Sequence, residues 1–253
     1  MNRRTVSIIV AAVLALGIVV TIGLSVFKGG SGSKTDTTVS QQEDGKPTKG
    51  RENCTPIIVA SSSEKADLLK TIAASYNQTD PKVNVSGTQK CVDVQVVSKA
   101  SGEAEQALAQ GWSEQKDGPY PTVWTPASST WIKLLNAQLA AKDKPELING
   151  TPESLMVTPV VFAMPKPMAE ALGWPKKPIG WKTLAALAAN PQGWAAYNHP
   201  EWGQFTLGKT HPELSTSGLA GTIGEFYAAT GTTSDLKTTD LTNPKTQQIV
   251  KTI

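Results

Sequence analysis

Along the chain the apolar positions follow three regimes. Residues 6–27 are continuous and uncharged, directly after Arg3 and Arg4. At a helical rise of about 1.5 Å per residue, a run of that length spans the hydrocarbon core of a bilayer. Over residues 28–52 apolar side chains almost vanish in favour of Gly, Ser, Thr and mixed charge. Such a segment cannot bury a core, and it predicts a flexible tether. From residue 53 onward, short β-branched runs alternate with longer stretches of helical period.

Within the third regime the pattern predicts strand-then-helix units. Residues 56–60 (PIIVA) read as a buried strand, followed by a helix over 64–76 with Leu68, Leu69, Ile72, Ala73 and Tyr76 on one side. Residues 92–97 (VDVQVV) and 102–112 form a second strand and helix, and residues 121–125 (PTVWT) and 129–139 a third. Beyond residue 150 the pattern gives a strand over 156–164 (MVTPVVFAM), helical pieces at 167–172 and 181–189, a short strand at 205–208, and helices over 216–229 and 244–253. Strands separated by helices imply parallel pairing and the α/β class. No fixed-period repeat points to a solenoid or propeller.

Charge and composition narrow the function. The net charge of +3 comes with no dense basic stripe interleaved with aromatics, so nucleic-acid binding finds no support. Arg3 and Arg4 place residues 1–5 in the cytoplasm and everything after residue 28 outside the membrane, giving a single-pass cell-membrane protein with an extracellular folded domain. Two readings of residues 6–27 stand. A retained anchor fits the length, whereas a cleaved signal would have to use the loose small-x-small site Gly23-Leu24-Ser25. Outside the membrane Cys54 and Cys91 would meet oxidising conditions, which makes a disulfide the natural pairing and two buried free thiols the alternative. His199 and His211 lie at no ligand-like spacing from the cysteines, so no metal site and no cofactor is expected.

The candidate chemistry sits where strands end and helices begin, because open α/β sheets bind ligands beyond the carboxyl ends of their strands. Helix N-termini there offer free N–H groups and the positive end of a dipole. Hydroxyls cluster at four such junctions: Ser61-Ser62-Ser63, Ser98 with Ser101, Ser128-Ser129-Thr130 and Ser215-Thr216-Ser217. Ser and Thr are also preferred helix caps, and Ser61 with Glu64 has capping-box spacing, so each hydroxyl has a structural reading beside the functional one. Lys99 and Lys209 flank two junctions as anion partners or solvated surface. Trp174, Trp181, Trp194 and Trp202 suit core packing or a sugar-stacking platform. Nucleophile-elbow, zinc-protease, phosphate-loop and dinucleotide motifs are absent from the sequence, and His211-Pro212-Glu213 reads as turn chemistry.

The stretch CTPIIVASSSEKADLLKTIAASYNQ resembles the opening strand and helix of type II periplasmic binding proteins, including their sulfate and molybdate branch. PTVWTPASSTWIKLLNA resembles their third strand and polar turn. MVTPVVFAMPKPMAEALGWPKKPIGWKTLAALA is similar to the crossing into a second lobe, and GKTHPELSTSGLAGTIGEFYAATG to the segment that opens a second-lobe helix over the ligand. The resemblance implies two α/β lobes, about 53–150 and 151–253, closing without catalysis on a small polar ligand, an oxyanion among the candidates. It carries the ligand-binding role onto Ser62, Ser63, Ser101, Ser128, Ser129, Thr216 and Ser217. The implied partners are an ABC transporter permease or a following von Willebrand factor A domain, which this chain does not contain. The chain departs from the family in its anchor and in stopping before the return crossover, which implies an incomplete second lobe. Two other readings stay open: a structural or sensory surface protein that keeps the fold, and an anchored hydrolase.

Overall fold

A computed structural model describes residues 44–252; the segment read as an anchor, residues 6–27, and the tether residues 28–43 lie outside these. Among the described residues no helix is long and apolar enough to cross a membrane. The chain divides into two compact units at Met156 and Val157.

The first unit is built on a four-stranded sheet. Its strands are β1 (Thr55–Ser61), β2 (Lys82–Val85), β3 (Thr88–Ser98) and β4 (Val123–Thr125), in the order β2-β3-β1-β4. Helix α1 (Ser63–Gln78) follows β1, α2 (Ser101–Gln110) follows β3 with the short α3 (Glu114–Asp117) after it, and α4 (Thr130–Ala140) follows β4. Central β1 pairs in parallel with β3, from Thr55 opposite Val92 to Ser61 opposite Ser98, and with β4, where Ser61 faces Thr125. The parallel expectation therefore holds for these three strands. It does not extend to β2, which forms an antiparallel hairpin with β3. The hairpin turns on Ser86 and Gly87, both at positive φ (52° and 84°), and Asn84 Oδ1 accepts the Gly87 N–H at 2.8 Å. Two residues at positive φ match the right-handed twist of the flanking strands.

β-Branched runs form β1 and β3 because both faces of these strands are covered. Ile57, Val59, Val92, Val94 and Val96 pack with Ala73, Leu69 and Tyr76 of α1, while Ile58, Ala60 and Val97 are buried on the opposite side. That two-sided burial is why the strands read as continuous apolar runs and not as alternation. Leu108 and Ala109 of α2 meet Leu135 and Leu139 of α4 in a second cluster. At the amino end of β1, Cys54 and Cys91 are joined in a disulfide, which sets aside the free-thiol alternative.

Residues 44–52, which composition assigns to the tether, are held on this unit. The Thr48 N–H donates to Asp93 Oδ2 at 3.0 Å and Arg51 Nη2 to the Val92 carbonyl at 2.9 Å. The attachment is through hydrogen bonds to a strand edge and needs no apolar side chain, so hydropathy could not reveal it. Asp93 is fully buried and also accepts from Asn77 Nδ2 (2.8 Å) and Gln95 Nε2 (2.9 Å), which satisfies its carboxylate without a cation.

The second unit contains α5 (Lys166–Ala171), α6 (Trp181–Ala188), two 3-10 turns (Gly193–Tyr197 and Pro200–Trp202), α7 (Thr216–Thr230), α8 (Thr238–Thr242) and α9 (Pro244–Thr252). Its core is Leu172, Leu184, Leu187 and Trp194. The strands expected at 156–164 and 205–208 do not form. Phe162, Met164, Phe205 and Leu207 pack on that core at strand-like spacing of two. No ladder partner is present among the described residues, and Val157 stays 92% exposed. Of the four clustered tryptophans, Trp194 is buried and meets Trp202 edge-to-face at 5.3 Å, and Trp181 meets Phe162 at 4.7 Å, so these three pack. Only Trp174 is largely exposed.

Candidate functional site

At the carboxyl ends of β1, β3 and β4 the first unit forms a continuous hydrogen-bonded rim. The Lys99 N–H donates to Ser61 O at 2.9 Å, joining the ends of β3 and β1, and the Ser62 N–H donates to Thr125 O at 3.2 Å, joining β1 to β4. Ser101 is buried, and its Oγ accepts the Ala127 N–H at 3.1 Å, tying the start of α2 to the β4–α4 turn. The first turns of α1, α2 and α4 all begin at this rim, since each helix follows its strand within a few residues.

Ser62 stands apart among the rim hydroxyls. It is 1% exposed and precedes the first residue of a 16-residue helix, yet its Oγ has no hydrogen-bond partner among the described residues. The capping role that its position invites is not used, for no side-chain cap bond is made there. The capping box expected of Ser61 and Glu64 is not formed either; the helix starts one residue later than that box requires, and Ser61 Oγ donates instead to Ser62 O at 3.1 Å. A buried hydroxyl without a partner is costly unless something else satisfies it.

The remaining candidates differ in how far they are committed. Ser63 and Ser129 are exposed at the rim. Ser128 Oγ accepts the Thr130 N–H at 3.2 Å and is also bonded to Thr130 Oγ1. Thr216 and Ser217 belong to the second unit, at the start of α7, where Ser217 Oγ lies 3.0 Å from both Thr210 Oγ1 and Ser215 Oγ. That cluster borders a cavity of about 520 Å³ walled by Phe162, Trp181, Trp194 and Phe205. His211 Nδ1 accepts the Glu213 N–H at 3.3 Å, a turn contact.

The lysines are placed differently from the sequence reading. Lys99 Nζ pairs with Asp117 at 3.1 Å and lies over the Trp112 ring, and Lys209 Nζ is held by both oxygens of the buried Glu225. Lys65, which spacing alone did not single out, reaches the rim: its Nζ donates to Thr125 Oγ1 at 2.7 Å and to Pro126 O at 3.0 Å. Burial pushes its pKa down, with Glu64 opposing. A cation in the first turn of a helix also works against the helix dipole. A bound anion would relieve both penalties, and the only sequence signal for it is the Ser-Ser-Ser-Glu-Lys run itself.

Among the described residues no rim hydroxyl bonds a histidine or a carboxylate, so the site has hydrogen-bond donors and a cation but no nucleophile paired with a base. A family model described as bacterial extracellular solute-binding protein matches residues 57–252. The chain belongs to that family. No curated protein and no solved structure matches it. The matched span of this solute-binding protein begins two residues into β1 and takes in both the rim and the second unit.

Proposed function

We propose that the chain is a membrane-anchored extracellular solute-binding protein that captures a small oxyanion at the rim of its first unit and performs no chemistry on it. The observation that carries this reading is Ser62, a buried hydroxyl with no partner among the described residues, at the start of α1, three residues before the half-buried Lys65. Helix N–H groups, hydroxyls and one ammonium suit a tetrahedral anion better than a sugar or an apolar solute. Ser62, Ser63, Ser101, Ser128 and Ser129 are the proposed contacts at this rim. Anchoring through residues 6–27 would keep the captured solute at the cell surface, next to a permease of the ABC type.

The test is thermal unfolding of the full chain in mild detergent, screened against sulfate, molybdate, phosphate, sugars and amino acids. One oxyanion should raise the Tm by several degrees, since a ligand at a hundred times its Kd adds about 2.7 kcal/mol. Ser62→Ala should remove most of that gain and raise the stability of the unliganded protein by about 1 kcal/mol, the lower end of the cost of a buried hydroxyl without a partner. Stabilisation by a sugar or amino acid but by no oxyanion would overturn the ligand class, and no stabilisation by any of them would overturn capture itself.

A further inference from the structure

The rim is braced from outside the sheet. β2 covers only the first residues of β3, from Thr88 to Cys91, and β1 covers one side of the rest. Along the other side runs the segment that enters the unit at residue 44. The Gly45 N–H donates to Val96 O at 3.2 Å, and Asp44 Oδ1 accepts the Ser98 N–H at 2.9 Å. Asp44 is fixed in turn by Lys70 of α1, whose Nζ lies 3.1 Å away. Gly45 has a φ of 67°, and a Cβ there would meet Val97 Cγ2 at 3.2 Å, so backbone and space both call for glycine.

Ser98 is the last residue of β3, and its neighbour Lys99 makes the bond to Ser61 O that joins β3 to β1 beside Ser62. We propose that Asp44 and Gly45 are positioning residues for the ligand rim: they hold the turn from Ser98 to Ser101, and through it the β1–α1 turn, in the arrangement that receives the ligand. The affinity part of this proposal rests on the oxyanion reading above; the bracing does not. The bond from Ser98 to the Asp44 carboxylate is charge-assisted, and such bonds are about twice as strong as neutral ones. Because coupling is reciprocal, ligand on the rim must tighten the brace as much as the brace favours the ligand.

The test uses the full chain in detergent, with hydrogen exchange read at peptides covering Ser98 and Lys99 and sulfate titrated in parallel. Asp44→Ala should speed exchange at Ser98 and Lys99 by about tenfold, the factor that a lost hydrogen bond to a charged group carries, and should weaken sulfate binding several-fold. Asp44→Asn keeps the accepting oxygen but loses the charge and the Lys70 ion pair, and should fall between wild type and Asp44→Ala in both readings. Gly45→Val should follow Asp44→Ala. Exchange at Ser98 and Lys99 that Asp44→Ala leaves unchanged would overturn the brace, and faster exchange with sulfate affinity unaltered in all three variants would overturn the positioning of the ligand rim by it. If wild type does not bind sulfate, it is the functional reading that fails on that anion, and the exchange at Lys99 still decides the bracing by itself.

Discussion

The two units treat the same kind of sequence differently. In the first, β-branched runs at residues 57–60 and 92–97 find each other and lock into a parallel ladder. In the second, residues 157–164 carry three Val and no charge, and Phe162 and Met164 turn inward as a strand's would, yet no ladder forms among the described residues. The lesson is that apolar periodicity reports which side of a segment packs, whereas a strand also needs a neighbour for its N–H and C=O groups. The first unit is therefore ordered by backbone pairing, a disulfide and a core together. The second rests on side-chain packing around Leu184 and Trp194 and on its helices.

Removing the disulfide should have the largest effect and is the sharpest way to test that contrast. Its cysteines are 37 residues apart, and opening a loop of that size costs about 4 kcal/mol on the chain-entropy account. Cys54→Ala with Cys91→Ala should lower stability by that order in denaturant unfolding, with the loss read at the β1 and β3 amides; an equal loss of protection in α6 would break the distinction between the units. Next come two matched core truncations, Leu135→Ala and Leu184→Ala, at leucines with no measurable exposure in either unit. Each should cost about 3 kcal/mol. The difference should lie in what survives: Leu135→Ala leaves β3 amides protected, while Leu184→Ala broadens the unfolding of the second unit. A sharp, cooperative transition in Leu184→Ala would break the contrast drawn between the two units.

Much of the first unit was legible in the sequence, because its strands are buried on both faces and its helices keep an apolar side, as with Leu69, Ala73 and Tyr76 on α1. The order strand, hydroxyl, helix was equally readable, so the positions of Ser62, Ser101 and Ser128 after their strands followed from it. What those hydroxyls do was not. The Ser101 hydroxyl is tied to Ala127 and the Ser62 hydroxyl to nothing described, and only the tertiary neighbours separate the two. β2 escaped notice because KVNV is short and mostly exposed, leaving Ser86-Gly87 as its one signal. The brace at residues 44–48 escaped for the opposite reason: its composition is that of a tether, and its attachment is polar and long-range. Lys65 looked like any surface lysine until its reach to Thr125, 60 positions away, was known.

The smallest expected effect comes from a pair of buried glutamates, one in each unit. Glu225 is fully buried and both its oxygens accept from Lys209 Nζ. Glu105, on α2, is 1% exposed, and its Oε1 has no partner among the described residues. Burial therefore raises the Glu105 pKa, and the Lys142 ammonium offsets only part of that rise. Folded protein then keeps this proton at pH values where the unfolded chain, near its ordinary 4.5, has lost it. The folded state binds more protons across that window, so stability falls as pH rises from about 4.5 through the raised folded value. Glu105→Gln cannot ionise and should be more stable than wild type at neutral pH. The gain should shrink to nothing as the pH is taken below 4.5, where both states of the wild type are protonated. Glu225→Gln should lose stability at neutral pH, because Lys209 is left without its carboxylate. Thermal unfolding of both variants across this pH range decides the matter: a Glu105→Gln gain that persists undiminished in acid would show that ionisation of the unpaired glutamate is not its source.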